Sequence, residues 1–236
     1  MSPGIWRRRR PRRNCGCSHG DGPWQRPGTI SPVDFLVALF ATADPRTYVE
    51  LRVFEAGRKE ERQQYFSMTE KQFQQLLRAA LKQTSHGHTV YFGTGARLRH
   101  GGKGEDVAGY SCVWADMDCG PGKPHASIEE ARTRLTEALG AGRVPAPSAV
   151  VVSGGGLHVY WFLTTFLPVE SWGQLQGVLQ GVREPLEGDK EVTNKKPQVV
   201  RLPGTVNYKD PEKRLSSDVD GLSTRSRYPR PAIPHV

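Results

Sequence analysis

Residues 112–118 read Cys-Val-Trp-Ala-Asp-Met-Asp, an apolar run that ends in two carboxylates. Such a run is typical of a buried β-strand, and because side chains alternate along a strand, Asp116 and Asp118 point to the same face. Neighbouring carboxylates repel each other unless a cation lies between them, and hard oxygen ligands on a rigid strand end suit Mg²⁺ or Mn²⁺. The alternative is a strand that ends in a polar turn, since Gly-Pro-Gly follows at 120–122.

The segments on either side of this strand predict an α+β fold, in which helices back a mixed and largely antiparallel sheet. Capping residues and apolar spacing predict helices over residues 31–40, 69–83, 127–139 and 168–186. Runs rich in β-forming residues predict strands over residues 47–54, 88–92, 111–116, 148–152, 157–163 and 198–202. The folded unit is therefore expected to span residues 31–210.

The positive charge of the chain is concentrated at its N-terminus. The 236 residues carry a net charge of +9, and residues 1–30 alone contain seven arginines and one aspartate. This Arg-, Gly- and Pro-rich segment lacks apolar periodicity, and residues 211–236 are also poor in core-forming residues, so both are predicted to be disordered tails. The arginine run at 7–13 is suited to phosphate contacts, although a solvated leader would look the same.

The sequence lacks the patterns of a membrane-spanning or secreted protein. It contains no run of eighteen apolar residues, and the N-terminal arginines stand beside Pro, Gly and Cys rather than before an apolar stretch. The four cysteines are too few and too unevenly spaced for a disulfide framework, so we expect reduced thiols. Cys15, Cys17 and His19 could form half of a zinc site, but no second ligand pair lies near them in the sequence. We therefore expect a cytosolic protein with no membrane partner.

A second motif combines glycines with a histidine. Residues 150–161 read Val-Val-Val-Ser-Gly-Gly-Gly-Leu-His-Val-Tyr-Trp, a buried strand, a glycine turn and a partner strand with His158 near its start. Glycines permit close backbone approach and leave amide donors free, which suits an anionic phosphate, and His158 could donate to the same group. The alternative is a hairpin with a Gly-rich turn and a histidine in the core.

A third motif is a basic turn. Residues 200–209 read Val-Arg-Leu-Pro-Gly-Thr-Val-Asn-Tyr-Lys and place Arg201, Thr205, Asn207 and Lys209 around Pro-Gly. Such a turn could bind a phosphate or the sugar of a nucleotide. The alternative is an ordinary transition from a strand into a turn, with exposed basic residues.

The three motifs, taken in order, resemble the archaeo-eukaryotic primase (AEP) superfamily, and in particular the primase-polymerase domains of phages and plasmids. The resemblance also includes Val-Tyr-Phe-Gly-Thr-Gly-Ala-Arg at 90–97 and Gly-Glu-Asp-Val at 104–107, and extends more loosely back to Ser31. It implies an RRM-like sheet that carries the metal site, over about residues 106–210, joined to a small N-terminal α/β module over about residues 31–105.

The resemblance implies a DNA-dependent nucleotidyltransferase that makes or extends primers on single-stranded DNA from nucleoside triphosphates, with Mg²⁺ or Mn²⁺ and possible help from a replicative helicase. Asp116 and Asp118 match the metal-binding motif, and His158 matches the histidine that contacts the triphosphate; these three are the implied catalytic residues. The other implied nucleotide-binding residues are Ser153, Gly155, Arg201 and Lys209. The residues expected to contact nucleic acid are Arg97 and Lys103, in a Gly-rich basic loop, and Asn207.

The segment before the third motif departs from the family pattern. The resemblance implies a third carboxylate just upstream of the Arg-Leu-Pro-Gly-Thr turn, but Asn194 stands there and Lys195 follows it. An amide oxygen can coordinate a hard metal yet adds no negative charge, and a neighbouring ammonium disfavours a second cation. Asp189 or Glu191 could replace the missing acid if the register of the segment shifts.

Two functional hypotheses follow from this departure. The first is an active primase-polymerase. The second is a catalytically weakened relative that binds DNA and nucleotide as an accessory in replication or defence. A nuclease or relaxase that uses the same aspartates fits poorly, because the sequence has no histidine cluster of the required kind.

Overall fold

The structure is a computed structural model that describes residues 30–55, 61–208, 218–222 and 227–228. Its helices are α1 (Pro32–Leu39), α2 (Glu70–Ser85), α3 (Ile128–Gly140), α4 (Trp172–Leu186) and the single turn α5 (Lys190–Thr193). Its strands are β1 (Tyr48–Phe54), β2 (Glu61–Ser67), β3 (Thr89–Gly93), β4 (Gly95–Arg97), β5 (Val107–Asp118), β6 (Ala149–Val152), β7 (Gly156–Pro168), β8 (Val199–Arg201), β9 (Asp218–Leu222) and β10 (Arg227–Tyr228).

These strands form one sheet with the order β8-β3-β1-β4-β5-β7-β6-β9, while β2 pairs with β1 and β10 pairs with β7. Neighbouring strands are antiparallel, apart from the parallel pair of β10 and β7. The predicted α+β fold with a mixed, largely antiparallel sheet is confirmed. Strand β4 pairs with both β1 and β5, so backbone hydrogen bonds continue across the expected module boundary near residue 105. The division into two modules stays a prediction.

Helix α1 fixes the helical layer to the middle of the sheet. Ser31 caps it by accepting a hydrogen bond from Asp34 N at 3.1 Å, and Pro32 occupies the first turn, where its missing N–H costs nothing. Phe35 is fully buried and meets the ring of Tyr160 on β7 edge to face, with centroids 5.2 Å apart. Through this contact α1 packs against β7 at Tyr160, two residues after His158.

The two longest strands, β5 and β7, pair along most of their length and carry the first two sequence motifs. Their register places Asp116 opposite His158 and Asp118 opposite Gly156. Trp114 is buried on β5, and its indole N–H donates to Val192 O of α5 at 3.2 Å. The chain just before the third motif is thereby held against the strand that carries the aspartates.

Some elements differ from the sequence prediction. Strand β2 was not predicted, because its sequence Glu-Arg-Gln-Gln-Tyr-Phe-Ser is largely polar; its order comes from pairing with the buried strand β1. Strand β4 lies in the segment predicted to be a loop. The C-terminal tail was expected to be disordered, yet β9 pairs with β6 and β10 with β7. Local composition does not reveal the pairing of β9 and β10, since their partner strands lie far away in the sequence.

Several expectations fall on residues that the structure does not describe. The predicted disorder of the N-terminal tail and the half zinc site at Cys15, Cys17 and His19 lie outside the described residues. Cys112 and Cys119 are described, and both are buried. In the described part of the chain, no helix combines the length and the apolar character needed to span a membrane.

Candidate metal centre and nucleotide site

The carboxylate pair lies where β5 ends. Asp116 faces His158 on β7, with Oδ1 3.6 Å from Nε2, which is longer than a hydrogen bond. Within the described residues, Asp116 Oδ1 is a buried polar atom without a hydrogen-bond partner. Burying such an atom is unfavourable unless a donor or a cation approaches it. The site therefore has a defined place for positive charge.

The surroundings of Asp116 oppose its ionisation. The pKa of Asp116 is raised to about 8, mainly by burial and also by the nearby carboxylates of Asp118 and Asp189, against the opposing effects of Arg201 and Lys123. Three carboxylates are thus close enough to influence one another. A divalent cation placed among them would reverse the balance and favour the ionised form.

A lysine in the turn after β5 neutralises the second carboxylate. Lys123 Nζ lies 2.6 Å from Asp118 Oδ2. This hydrogen bond raises the pKa of Lys123 above its usual value, as do the charges of Asp118, Asp189 and Asp116. The sequence analysis missed Lys123, although a cation five residues after the carboxylate pair was a visible signal.

His158 is held as a neutral ring. Its side chain is buried, and burial together with the charge of Arg201 lowers the pKa of His158 to about 3. Nδ1 lies 3.5 Å from the hydroxyl of Tyr160, at the limit of a hydrogen bond, and Nε2 faces Asp116. A neutral imidazole carries one N–H, so His158 can donate one hydrogen bond to an incoming oxygen.

The glycine turn packs directly against the end of β5. Ser153 N donates to Gly156 O at 2.9 Å, and the Ser153 hydroxyl donates to the same oxygen at 3.2 Å. A Cβ on Gly156 would collide with the carbonyl oxygen of Met117, so only glycine permits this approach. The corresponding position at Gly155 is open. The turn therefore brings accessible backbone next to Asp118.

Arg201 connects the third motif to the second. Its guanidinium donates to the carbonyl oxygen of Ser153 and lies 5.8 Å from the ring centre of Tyr91. The side chain is almost buried, and within the described residues its Nε has no hydrogen-bond partner. Arg201 therefore supplies a fixed positive charge and a spare donor beside the glycine turn.

Asp189 and Asn194, the two residues considered as a third metal ligand, occupy different places. Asp189 N donates to Asp116 O at 2.8 Å, and a Cβ on Gly188 would lie 2.9 Å from the same oxygen. The Asp189 carboxylate at present caps α5 by accepting from Glu191 N at 2.9 Å. Asn194 ends α5 with an exposed side chain. Of the two residues expected from the sequence, Asp189 is the one beside the carboxylate pair.

In the described part of the chain, no three His, Cys, Asp or Glu side chains already stand together in an arrangement that could hold a metal ion. Asp116 and Asp118 nevertheless fit a hard divalent cation, because they offer carboxylate oxygens on one face and one oxygen lacks a partner. Rotation of Asp189 or oxygens from a bound triphosphate would complete the coordination. Mg²⁺ commonly takes this combination of one or two carboxylates and phosphate oxygens.

The residues expected to contact nucleic acid are placed differently from one another. Arg97 is fully buried and paired with the equally buried Glu50, and it also donates to Lys103 O at 3.3 Å. The buried Glu50 carboxylate demands a cation, so the Arg97 guanidinium points into the interior. Arg97 therefore supports the basic loop from the inside and offers no surface for a direct contact. Asn207 is also buried, whereas Lys103 is exposed. Lys209 lies outside the described residues.

A surface beside the basic loop combines aromatic rings with cations, and we call it the loop face: the half-buried Tyr65 and the exposed Arg99, His100 and Lys103. The rings of Tyr65 and His100 are stacked, with centroids 4.9 Å apart and planes inclined by 7°. Asp106 shapes the loop by accepting from Arg99 Nε at 2.6 Å and from Lys103 N at 2.9 Å. The sequence analysis missed Tyr65 and His100, because the stack joins residues far apart in the sequence.

No protein-family model and no curated protein sequence matches this chain. Among solved structures, the chain is similar to the AEP domain of the cyanophage S-2L primase-polymerase (PrimPol), with a TM-score of 0.60 and 15% identity over 84% of this chain and 92% of that chain. It is also similar to the catalytic domain of primase RepB′ in complex with initiator DNA, with a TM-score of 0.55 and 15% identity over 83% and 87% of the two chains. A further structure of primase RepB′ gives a TM-score of 0.54 and 16% identity over 84% of this chain and 58% of that chain.

These similarities identify the architecture. The chain has the AEP fold of primase-polymerases, as the three motifs implied. One fold can carry several functions, so the activity depends on the residues of the site.

Proposed function

We propose that this chain is a DNA-dependent nucleotidyltransferase, a DNA primase or primase-polymerase that makes or extends primers on single-stranded DNA from nucleoside triphosphates. One observation carries the proposal. Asp116, at the end of β5 and largely shielded from solvent, presents a buried, unpartnered carboxylate oxygen towards His158, two residues from Asp118. A buried acid in this state is unfavourable for stability and is typical of a functional site.

Asp116 and Asp118 would bind the divalent metal, Mg²⁺ or Mn²⁺, and Asp189 would complete the carboxylate set. A bound divalent ion would lower the pKa of the attacking 3′-hydroxyl and neutralise the charge that develops on the α-phosphate and the departing pyrophosphate. The three carboxylates would orient that ion at the end of β5. In this arrangement Asn194 is not needed as a ligand, since Asp189 supplies the third negative charge.

The triphosphate would lie between the glycine turn and Arg201. His158 can donate its single N–H to a phosphate oxygen, and Arg201 is already fixed by Ser153 O, so little side-chain entropy is lost when it binds an anion. Gly155 leaves room for phosphate oxygens to approach the backbone. Lys209, which follows Arg201 in the basic turn, is proposed as a further phosphate contact on the basis of its sequence position.

Single-stranded DNA would lie on the loop face. A base can stack on the pair formed by the half-buried Tyr65 and the exposed His100, while Lys103 and Arg99 approach the phosphates. Arg97 would act indirectly, because its guanidinium donates to the carbonyl oxygen of Lys103 and so holds Lys103 in place. This arrangement assigns the DNA contact to exposed side chains and gives the buried arginine a supporting role.

A second candidate function is a catalytically weakened relative that binds DNA and nucleotide as an accessory in replication or defence. The observation in its favour is Asn194, which stands where the family resemblance implies an acid. The position of Asp189 beside Asp116 argues for the active enzyme instead. Cooperation with a replicative helicase and a cytosolic location remain predictions from the sequence.

Incorporation of labelled nucleotides on single-stranded DNA separates the two functions. The assay uses the full chain with ribonucleotides or deoxyribonucleotides, in Mg²⁺ or Mn²⁺, with EDTA as the metal-free control. Metal-dependent product from the wild-type chain supports the enzyme. If the chain binds DNA and nucleotide with ordinary affinity but forms no product in either metal, the accessory function is correct.

A further inference from the structure

The turn between β5 and α3 holds a lysine at the point where a metal ion is expected to bind. Lys123 Nζ lies 2.6 Å from Asp118 Oδ2. An ammonium and a divalent cation cannot both occupy the same carboxylate oxygen at close range without strong repulsion. A metal ion that binds this oxygen therefore requires Lys123 to leave it, and an ion bound at the other oxygen of Asp118 would still be repelled by the ammonium.

The backbone of this turn is fixed on several sides. Gly120 N donates to His125 O at 2.8 Å, and Lys123 N donates to Gly120 O at 3.0 Å. His125 is buried, and its Nε2 lies 3.0 Å from Leu186 O at the end of α4. The turn is thereby anchored to helix α4.

The turn is also joined to the phosphate-binding turn that we propose. Cys119 N donates to Gly155 O at 2.8 Å, so the two turns lie side by side. The Lys123 side chain is 49% exposed, and its flexible stem can move while the backbone stays in place. A short rotation of the side chain would carry the ammonium from Asp118 towards the neighbouring glycine turn.

We propose that Lys123 exchanges partners during substrate loading: it neutralises Asp118 in the metal-free protein, leaves when the metal binds, and then contacts a phosphate of the incoming nucleotide. The proposal rests on the metal site of the proposed function and adds a residue to it. Because the ion pair is partly exposed, it is weak enough to be displaced. The stabilisation from an exposed ion pair changes an equilibrium constant by roughly two- to fivefold.

Two measurements test the exchange. The first is Mn²⁺ binding to the metal-free chain without nucleotide, measured by electron paramagnetic resonance. Lys123→Met should bind Mn²⁺ about two- to fivefold more tightly than the wild type, because the competing cation is gone. In steady-state incorporation, the same variant should show a nucleotide KM raised several-fold with a smaller change in kcat. Lys123→Arg, which keeps the charge, should lie closer to the wild type in both measurements, and Lys71→Met on α2 is the matched control on an exposed lysine.

An unchanged or weaker Mn²⁺ affinity in Lys123→Met overturns the exchange, and an unchanged nucleotide KM overturns the phosphate contact. Asp118→Asn distinguishes this failure from failure of the proposed function. If Asp118→Asn weakens Mn²⁺ binding while Lys123→Met has no effect, the metal site stands and the inference about Lys123 is wrong. If neither substitution affects Mn²⁺ binding, the metal site itself is wrong.

Discussion

Asp116 and His158 face each other on β5 and β7, with the carboxylate Oδ1 3.6 Å from the imidazole Nε2. Burial raises the pKa of Asp116 to about 8 and lowers the pKa of His158 to about 3, so near neutral pH a protonated acid lies beside an uncharged ring. This state tolerates burial in the absence of metal. Binding of a divalent cation would make ionised Asp116 the stable form and leave His158 as a neutral donor.

Replacing Asp116 by Asn should stabilise the metal-free protein at alkaline pH. The folded protein holds the Asp116 proton up to about pH 8, whereas the unfolded chain releases it near the usual pKa of 3.8, so this group lowers stability as the pH rises between the two. The variant should gain roughly 2 to 4 kcal/mol in free energy of unfolding at pH 9 and little at pH 4. Urea unfolding in EDTA at both pH values measures the difference. A variant that is less stable than the wild type at pH 9 would refute the burial argument.

Asp189 and Asn194 are expected to differ in importance. Asp189→Asn removes a carboxylate that influences Asp116 and should lower metal-dependent incorporation about a hundredfold or more, as expected when a group that stabilises the transition state is lost. Asn194→Ala and Asn194→Asp should change incorporation by less than about threefold, a modest effect of the size expected for an exposed substitution. Because Asp189 also caps α5, thermal unfolding must be compared. A large gain in incorporation by Asn194→Asp would indicate that the third metal ligand lies at position 194.

Gly156 and Gly155 form a matched pair in the turn beside Asp118. Gly156→Ala places a Cβ against the carbonyl oxygen of Met117 and should cost about 1 to 3 kcal/mol in free energy of unfolding, whereas the open position at Gly155 should accept alanine within about 0.5 kcal/mol. Chemical denaturation measures both. Equal stability of the two variants would show that the turn does not pack on β5 as described.

The Tyr65–His100 stack should contribute to DNA binding. Tyr65→Ala removes the ring and should weaken binding of single-stranded DNA about fivefold or more, since stacking of one base is worth about 1 to 3 kcal/mol. Tyr65→Phe keeps the ring and removes only the hydroxyl, which donates to Gln63, so it should bind nearly as the wild type does. Fluorescence anisotropy at fixed salt gives the affinities. If both variants bind like the wild type, DNA follows another path.

The position of the two aspartates was well predicted from the sequence. Alternation along a strand placed Asp116 and Asp118 on one face, and the structure puts both at the end of β5. Local patterns suffice here, because the motif consists of an apolar strand followed by its own polar end. The sequence could not give the opposition of Asp116 and His158, since strand register depends on the glycine turn and on packing against β5.

Other parts of the site depend on contacts between distant residues. Arg97 resembled a DNA-binding residue within a basic loop, but its position on β4 beside β1 turns it towards Glu50 in the interior. Asp189 and Lys123 reach the site through a helix end and a turn, which follow from the packing of α4 and α5 on the sheet. No local pattern shows that packing, so the sequence named Asp189 only as one possible replacement for the missing acid and did not single out Lys123.

The most direct test compares nucleotide incorporation by the wild-type chain and by Asp116→Asn, with Asp44→Asn as the control on a partly exposed acid that pairs with Arg46. All three are assayed with primed single-stranded DNA and saturating nucleotide in Mg²⁺ and in Mn²⁺, after circular dichroism has shown that each is folded. The account predicts product from the wild type and from Asp44→Asn, and a loss of about a thousandfold or more in Asp116→Asn, because electrostatic stabilisation is the main catalytic term. Equal product from the wild type and Asp116→Asn would contradict it.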